Sequence, residues 1–158
     1  TGEKQTQPTS SEIVALPTMY RRQVLPAKAI ADTPLAYNER AAQKLVDLRR
    51  NKQPLLAEDQ HAKTELLAKL GAGGSSGTLY RNSFFRVEYV YSADLFMVEI
   101  TNSDIGIAKK MATSWLVDQN FSEDSLCSLP VVFYLNNRVG EQLRPRNMTF
   151  NPLAEGCV

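Results

Sequence analysis

The residues that could do chemistry are few and lie far apart. The chain has one histidine, His61, and two cysteines, Cys127 and Cys157, 30 positions apart. Neither cysteine sits in a CxxC pair and a second histidine is lacking, so tetrahedral zinc has no ligand set. A disulfide between Cys127 and Cys157 is the sharper reading, because Cys157 is next to last and a fraying terminus gains from a tie, typically about 2 to 4 kcal/mol. Two unrelated buried thiols are the alternative. Since such bonds persist in oxidising compartments, the disulfide points to an extracytoplasmic, periplasmic or secreted location.

The other reactive side chains read more simply. His61 stands mid-helix among Gln60, Lys63 and Glu65 and has no partner for a triad, so it reads as a solvated helix residue. Asp104, Glu123 and Asp124 lie beside helix or turn starts, where carboxylates meet free backbone N–H groups, and capping explains them better than paired-carboxylate catalysis. Gly71 to Gly77 lacks the Lys-Ser/Thr that closes a phosphate loop. No catalytic constellation remains, which leads us to expect a protein that is not an enzyme and uses no cofactor and no metal.

Charge excludes little but favours nothing. With 18 basic and 17 acidic side chains the net charge is +1, so no global field attracts nucleic acid or an anionic membrane. Phe84, Phe85, Tyr89 and Tyr91 have the types to stack on bases, yet no basic stripe accompanies them, and nucleic-acid binding stays a second alternative. Arg138, Arg144 and Arg146 read as a solvated strand edge. No run of apolar residues is long enough to span a bilayer. The chain opens on Thr1-Gly2-Glu3-Lys4, which is not a signal peptide, and it could be the soluble part of an anchored protein.

Elements that would position these residues divide at Gly71-Ala72-Gly73-Gly74-Ser75-Ser76-Gly77. Helix-like sequence precedes this stretch, whereas all six Phe, the single Trp and both Cys follow it. Residues 1–10 read as a disordered tail and residues up to 70 as a helical arm. Asp32-Thr33-Pro34 starts a helix to about Arg50, with Tyr37, Ala41, Leu45 and Leu48 on one stripe. After Pro54 a second helix places Leu55, Asp59, Ala62, Leu66 and Leu70 near one face, and Gly71 stands where a left-handed cap belongs. The arm could equally be a partner segment fused to the rest. Residues 71–77 have the composition of a flexible tether, native or introduced to join two polypeptides.

Beyond Gly77 the apolar period becomes two. Phe85, Val87, Tyr89 and Tyr91 share one face of a strand, and Ser92-Ala93-Asp94 turns the chain into a second strand, Leu95 to Thr101. Asn102-Ser103-Asp104 caps a helix from Ile105 to Gln119, with Ala108, Met111, Ala112, Trp115 and Leu116 on its apolar face. Leu129 to Leu135 is a buried strand, and Asn136-Asn137 predicts a hairpin turn into a fourth strand, Arg138 to Leu143. The expected fold is therefore α+β: a ββαββ antiparallel sheet with one crossing helix over residues 78–158, plus the helical arm.

Function follows from this outline only as a type of role. The expected one is a protein–protein interaction domain of a cell-envelope assembly, such as a secretion, pilus or conjugation apparatus or an envelope signalling complex. Its partner would be another protein of a membrane-associated complex, with homo-oligomers as a variant. The apolar run broken by prolines, Ile13, Val14, Leu16, Met19 and Tyr20, suits docking on a groove or sheet edge. The alternative is a small apolar-ligand or sensory domain, with a pocket lined by Trp115, Met111 and Phe133.

Overall fold

The computed structural model describes residues 39–51, 53–71, 74–146 and 149–157. Leu35–Val158 forms one compact unit, so the sequence on both sides of the glycine stretch belongs to the same body. Its elements are helices α1 (Glu39–Arg50) and α2 (Ala57–Ala68), strands β1 (Gly77–Arg81), β2 (Phe85–Val90) and β3 (Leu95–Ile100), helix α3 (Ile105–Asp118), strand β4 (Val131–Leu135) and helix α4 (Asn137–Leu143). This is an α+β arrangement. The residues proposed for partner contact, Ile13, Val14, Leu16, Met19 and Tyr20, lie outside the described residues.

The four strands form one sheet in the order β1-β2-β3-β4. β1–β2 and β2–β3 are antiparallel, but β3 and β4 run parallel with Val98 opposite Phe133, which corrects the antiparallel expectation to a mixed sheet. The reason is connectivity: α3 carries the chain back across the sheet, so β4 starts at the same end as β3. β1 is an additional strand. Gly77, assigned to the tether on composition, is its first residue and pairs with Tyr89, and a register shift between Thr78 and Tyr80 puts a bulge in this edge strand.

The second correction concerns residues 138–143. They form α4 rather than a strand, because the Asn136 side chain accepts a hydrogen bond from Val139 N at 2.8 Å and caps the helix. Val139 and Leu143, four residues apart, are both buried on the face that this helix turns to the core. Arg138, Arg144 and Arg146 consequently stand on α4 and the 3₁₀ turn after it, not on a strand edge.

One face of the sheet is buried from β2 to β4. Phe85, Val87 and Tyr89 of β2, Phe96, Val98 and Ile100 of β3, and Val131, Phe133 and Leu135 of β4 join a single core with Ala62 and Leu66 of α2 and Ala108, Ala112 and Leu116 of α3. The small alanines let both helices approach the large strand residues. Along β2 the alternation is strict, so Arg86, Glu88 and Val90 take the other, half-exposed face, where Arg86 pairs with Glu99 of β3 at 2.8 Å. Gly71, with φ of +91°, adopts the left-handed conformation expected after α2.

The C-terminal segment completes the body. Cys127 and Cys157 are disulfide-bonded, with Cα atoms 5.4 Å apart. Within the loop so closed, Phe133 N donates to the Pro152 carbonyl at 2.8 Å, which occupies the outer edge of β4. Asn151 organises the turn, accepting from Leu153 N and donating to the Cys157 carbonyl at 2.7 Å. Phe150, Leu153, Ala154 and Cys157 are buried against the core. Replacing both cysteines by alanine is expected to lower unfolding free energy by about 2 to 4 kcal/mol, read from urea titrations followed by circular dichroism, with the native spectrum retained in the absence of urea.

Candidate functional site

Three places among the described residues bring chemically distinct side chains together. The first lies on α3. Ile107, Met111 and Trp115 recur every four residues and therefore share one side of the helix. Ile107 is 49% exposed and Met111 38%, and the half-buried Trp115 packs on Tyr80 of β1 with ring centroids 5.3 Å apart. Tyr80, 37% exposed, also lies 5.4 Å from Phe85. An apolar strip thus runs from the buried core through Tyr80 and Trp115 to the surface, beside β1 at the sheet edge.

Of the pocket residues expected from sequence, Trp115 and Met111 belong to this strip. Phe133 is fully buried, and its ring lies 5.4 Å from the ammonium of Lys109. Lys109 and Met111 stand about 200° apart around α3, so Phe133 lies on a different side of the helix from the exposed strip.

The second place is the seat of Lys109 itself. Its side chain is buried and its ammonium donates to the Asn151 carbonyl at 2.9 Å, between the rings of Phe133 and Phe150. Burial pushes its pKa below the usual lysine value, and Glu155 partly opposes that shift. The cation serves the architecture. Together with the hydrogen bond that Glu155 N donates to Thr113 Oγ1, it fastens the C-terminal segment onto α3.

The third place is a cleft of ≈ 380 Å³ where α1, the Gln53–Leu55 connection, α2, the β2–β3 turn and Ser128–Pro130 meet. On one side of it lies a polar cluster that sequence reading missed. The Lys63 ammonium, almost wholly buried, donates to Asp94 Oδ1, and the Tyr89 hydroxyl donates to the same oxygen at 2.7 Å. Asp94 takes positive φ of 49° at the end of the 3₁₀ turn Tyr91–Ala93, which turns β2 into β3. Lys63 follows Asp59 by four residues on the face of α2 that also carries Ala62 and Leu66. A charged residue on a buried stripe was the available signal.

Within this cluster Lys63 and Asp94 carry opposite charges. Burial first, and the hydrogen bond to Asp94 second, raise the Tyr89 pKa well above its ordinary value, so the phenol stays a proton donor. The ammonium and the phenol both donate to the one carboxylate oxygen, Asp94 Oδ1. Its evident role is to pin α2 to the β2–β3 turn. Among the described residues no group of three or more His, Cys, Asp or Glu side chains could hold a metal ion.

With the fold and these places defined, comparison with protein families, curated proteins and solved structures gave no match. The class that remains is a mixed-sheet α+β body with a disulfide-closed C-terminal segment.

The Tyr89 shift carries a sign. A group whose pKa is raised on folding contributes stability fully below its unfolded value, about 10 for tyrosine, and loses it as pH rises past that value. Urea midpoints measured from pH 7 to 11 (roughly the span bracketing that value) should therefore fall more steeply above pH 10 for the native protein than for Tyr89→Phe.

Proposed function

We propose that this protein is a non-enzymatic protein–protein interaction domain of an extracytoplasmic cell-envelope assembly, of the secretion, pilus, conjugation or envelope-signalling type. The observation that carries this reading is the contrast between the two sheet edges. At β4 the edge is filled by the chain's own Pro152 segment, held by the disulfide. At β1 no further strand is paired among the described residues, and the Ile107–Met111–Trp115–Tyr80 strip lies alongside. Contiguous exposed apolar side chains at a sheet edge favour a partner segment that covers them.

The compartment is supported by the disulfide, which persists in oxidising surroundings. No described helix is long and apolar enough to cross a membrane, in keeping with a domain that works beside a membrane complex rather than through the bilayer. The apolar run Ile13, Val14, Leu16, Met19 and Tyr20 is the second proposed contact with the partner.

A photo-crosslinking amino acid at Ile107 or Met111 should yield discrete adducts in the source cells, whereas one at exposed Glu141 on α4 should yield none. An adduct of twice the chain mass would identify a second copy as the partner. Trp115→Ala combined with Met111→Ala should weaken the identified complex by about 2 kcal/mol or more, roughly thirtyfold. Equal labelling from all three positions, or an unchanged affinity, would remove the strip from the interface.

A further inference from the structure

The cleft between the helical arm and the β2–β3 turn is independent of the apolar strip. Its aliphatic lining comes from Leu45 and Leu48 of α1, Leu55 of the connection, Leu95 of β3 and Leu129 before β4, and polar side chains, Ser92 and Ser128 among them, line the rest. At ≈ 380 Å³ it lies at the low end of the range for small-molecule pockets, about 300 to 1,000 Å³. That size admits a short chain or a single ring, not a folded partner or a polymer.

The charged side chains that line the cleft, Arg49, Lys63 and Asp94, carry one positive charge in excess. Lys63 and Asp94 answer each other within the cluster described above. Arg49 reaches the same cleft from the last turn of α1, is exposed, and has no ion pair among the described residues. Gln53 and Gln60 also line the cleft, and their side-chain amides can donate hydrogen bonds. Leucine side chains beside an exposed guanidinium and two amides suit an apolar body ending in an anionic head.

We infer that this cleft binds a small anionic amphiphile, with its aliphatic part between Leu45, Leu48, Leu55 and Leu129 and its head group on Arg49. The geometry differs from the pocket expected near Trp115, and the inference does not rest on the proposed partner surface. Because the walls come from both sides of the glycine stretch, a bound ligand bridges α1 to the sheet and stabilises the folded unit by mass action.

Octanoate, octylammonium and octanol added separately to the full chain test this, followed by ¹H–¹⁵N spectra and calorimetry. Octanoate is expected to saturate at millimolar or lower concentration, with shifts concentrated at Leu48, Asp94 and Leu129, and to bind more tightly than octylammonium. Arg49→Gln should weaken octanoate about fivefold, in line with an exposed ion pair of up to about 1 kcal/mol, and leave octanol unchanged. Leu48→Trp, which fills the cleft from a half-exposed position, should abolish both while the rest of the spectrum stays native. Absence of saturable octanoate binding, equal binding of octylammonium, or an Arg49→Gln affinity equal to the native one would overturn the inference.

Discussion

Everything else in this molecule depends on the covering of one sheet face by helices from opposite sides of the glycine stretch. α3 comes from within the sheet's own sequence and cannot cover it alone. α2 adds Ala62 and Leu66 over the same core, and fully burying a leucine is worth roughly 1.5 to 3 kcal/mol. Three polar contacts fix where it lies. The buried Asp59 carboxylate accepts from Ser122 N at 2.8 Å, Lys63 donates to Asp94, and Lys69 reaches Gln119 at 2.9 Å. Ser122 and Gln119 both lie in the segment that ends α3 and Asp94 in the β2–β3 turn, so the helix is located by two separate parts of the chain.

The glycine stretch acquires its meaning from that packing. It is a connection inside one body. Gly74, at φ of +74°, lies so close to the Tyr91 ring that an added Cβ would come within 2.5 Å of it, and Ser76 Oγ accepts from Tyr91 N at 2.8 Å. Small residues are required here by close approach and by positive φ. Its end is therefore docked on the turn that follows β2, and β1 begins at once.

Much of this was legible in the sequence wherever the signal was local. The stripe Asp59, Ala62, Leu66 placed α2, the alternation from Phe85 to Tyr89 placed β2, Asp104 capped α3, and the position of Cys157 implied its bond to Cys127. Residues 138–143 misled because Asn136 serves a hairpin turn and a helix cap equally well, and Val139 and Leu143 were too few to impose a period. β1 was hidden because it begins on the last glycine of a stretch that reads as a linker. The parallel pairing of β3 and β4 depends on where α3 delivers the chain, which no local pattern encodes. The Lys63–Asp94–Tyr89 cluster and the cleft beside it join segments remote in sequence, so they existed only once the fold did.

The two sheet edges differ in how they are finished. A disulfide-bound tail lies along one edge, while among the described residues the other runs beside an apolar helix face, the side proposed for a partner. That division holds only if α2, the sheet and α3 form a single cooperative core. Native-state hydrogen exchange tests this most directly, by comparing the amide of Leu66 in α2 with that of Val98 in β3. The account predicts the same opening free energy for both, equal to the global unfolding free energy and sharing its dependence on urea. Exchange of Leu66 at a distinctly lower free energy, with Val98 still fully protected, would show that the arm opens alone and would contradict the account.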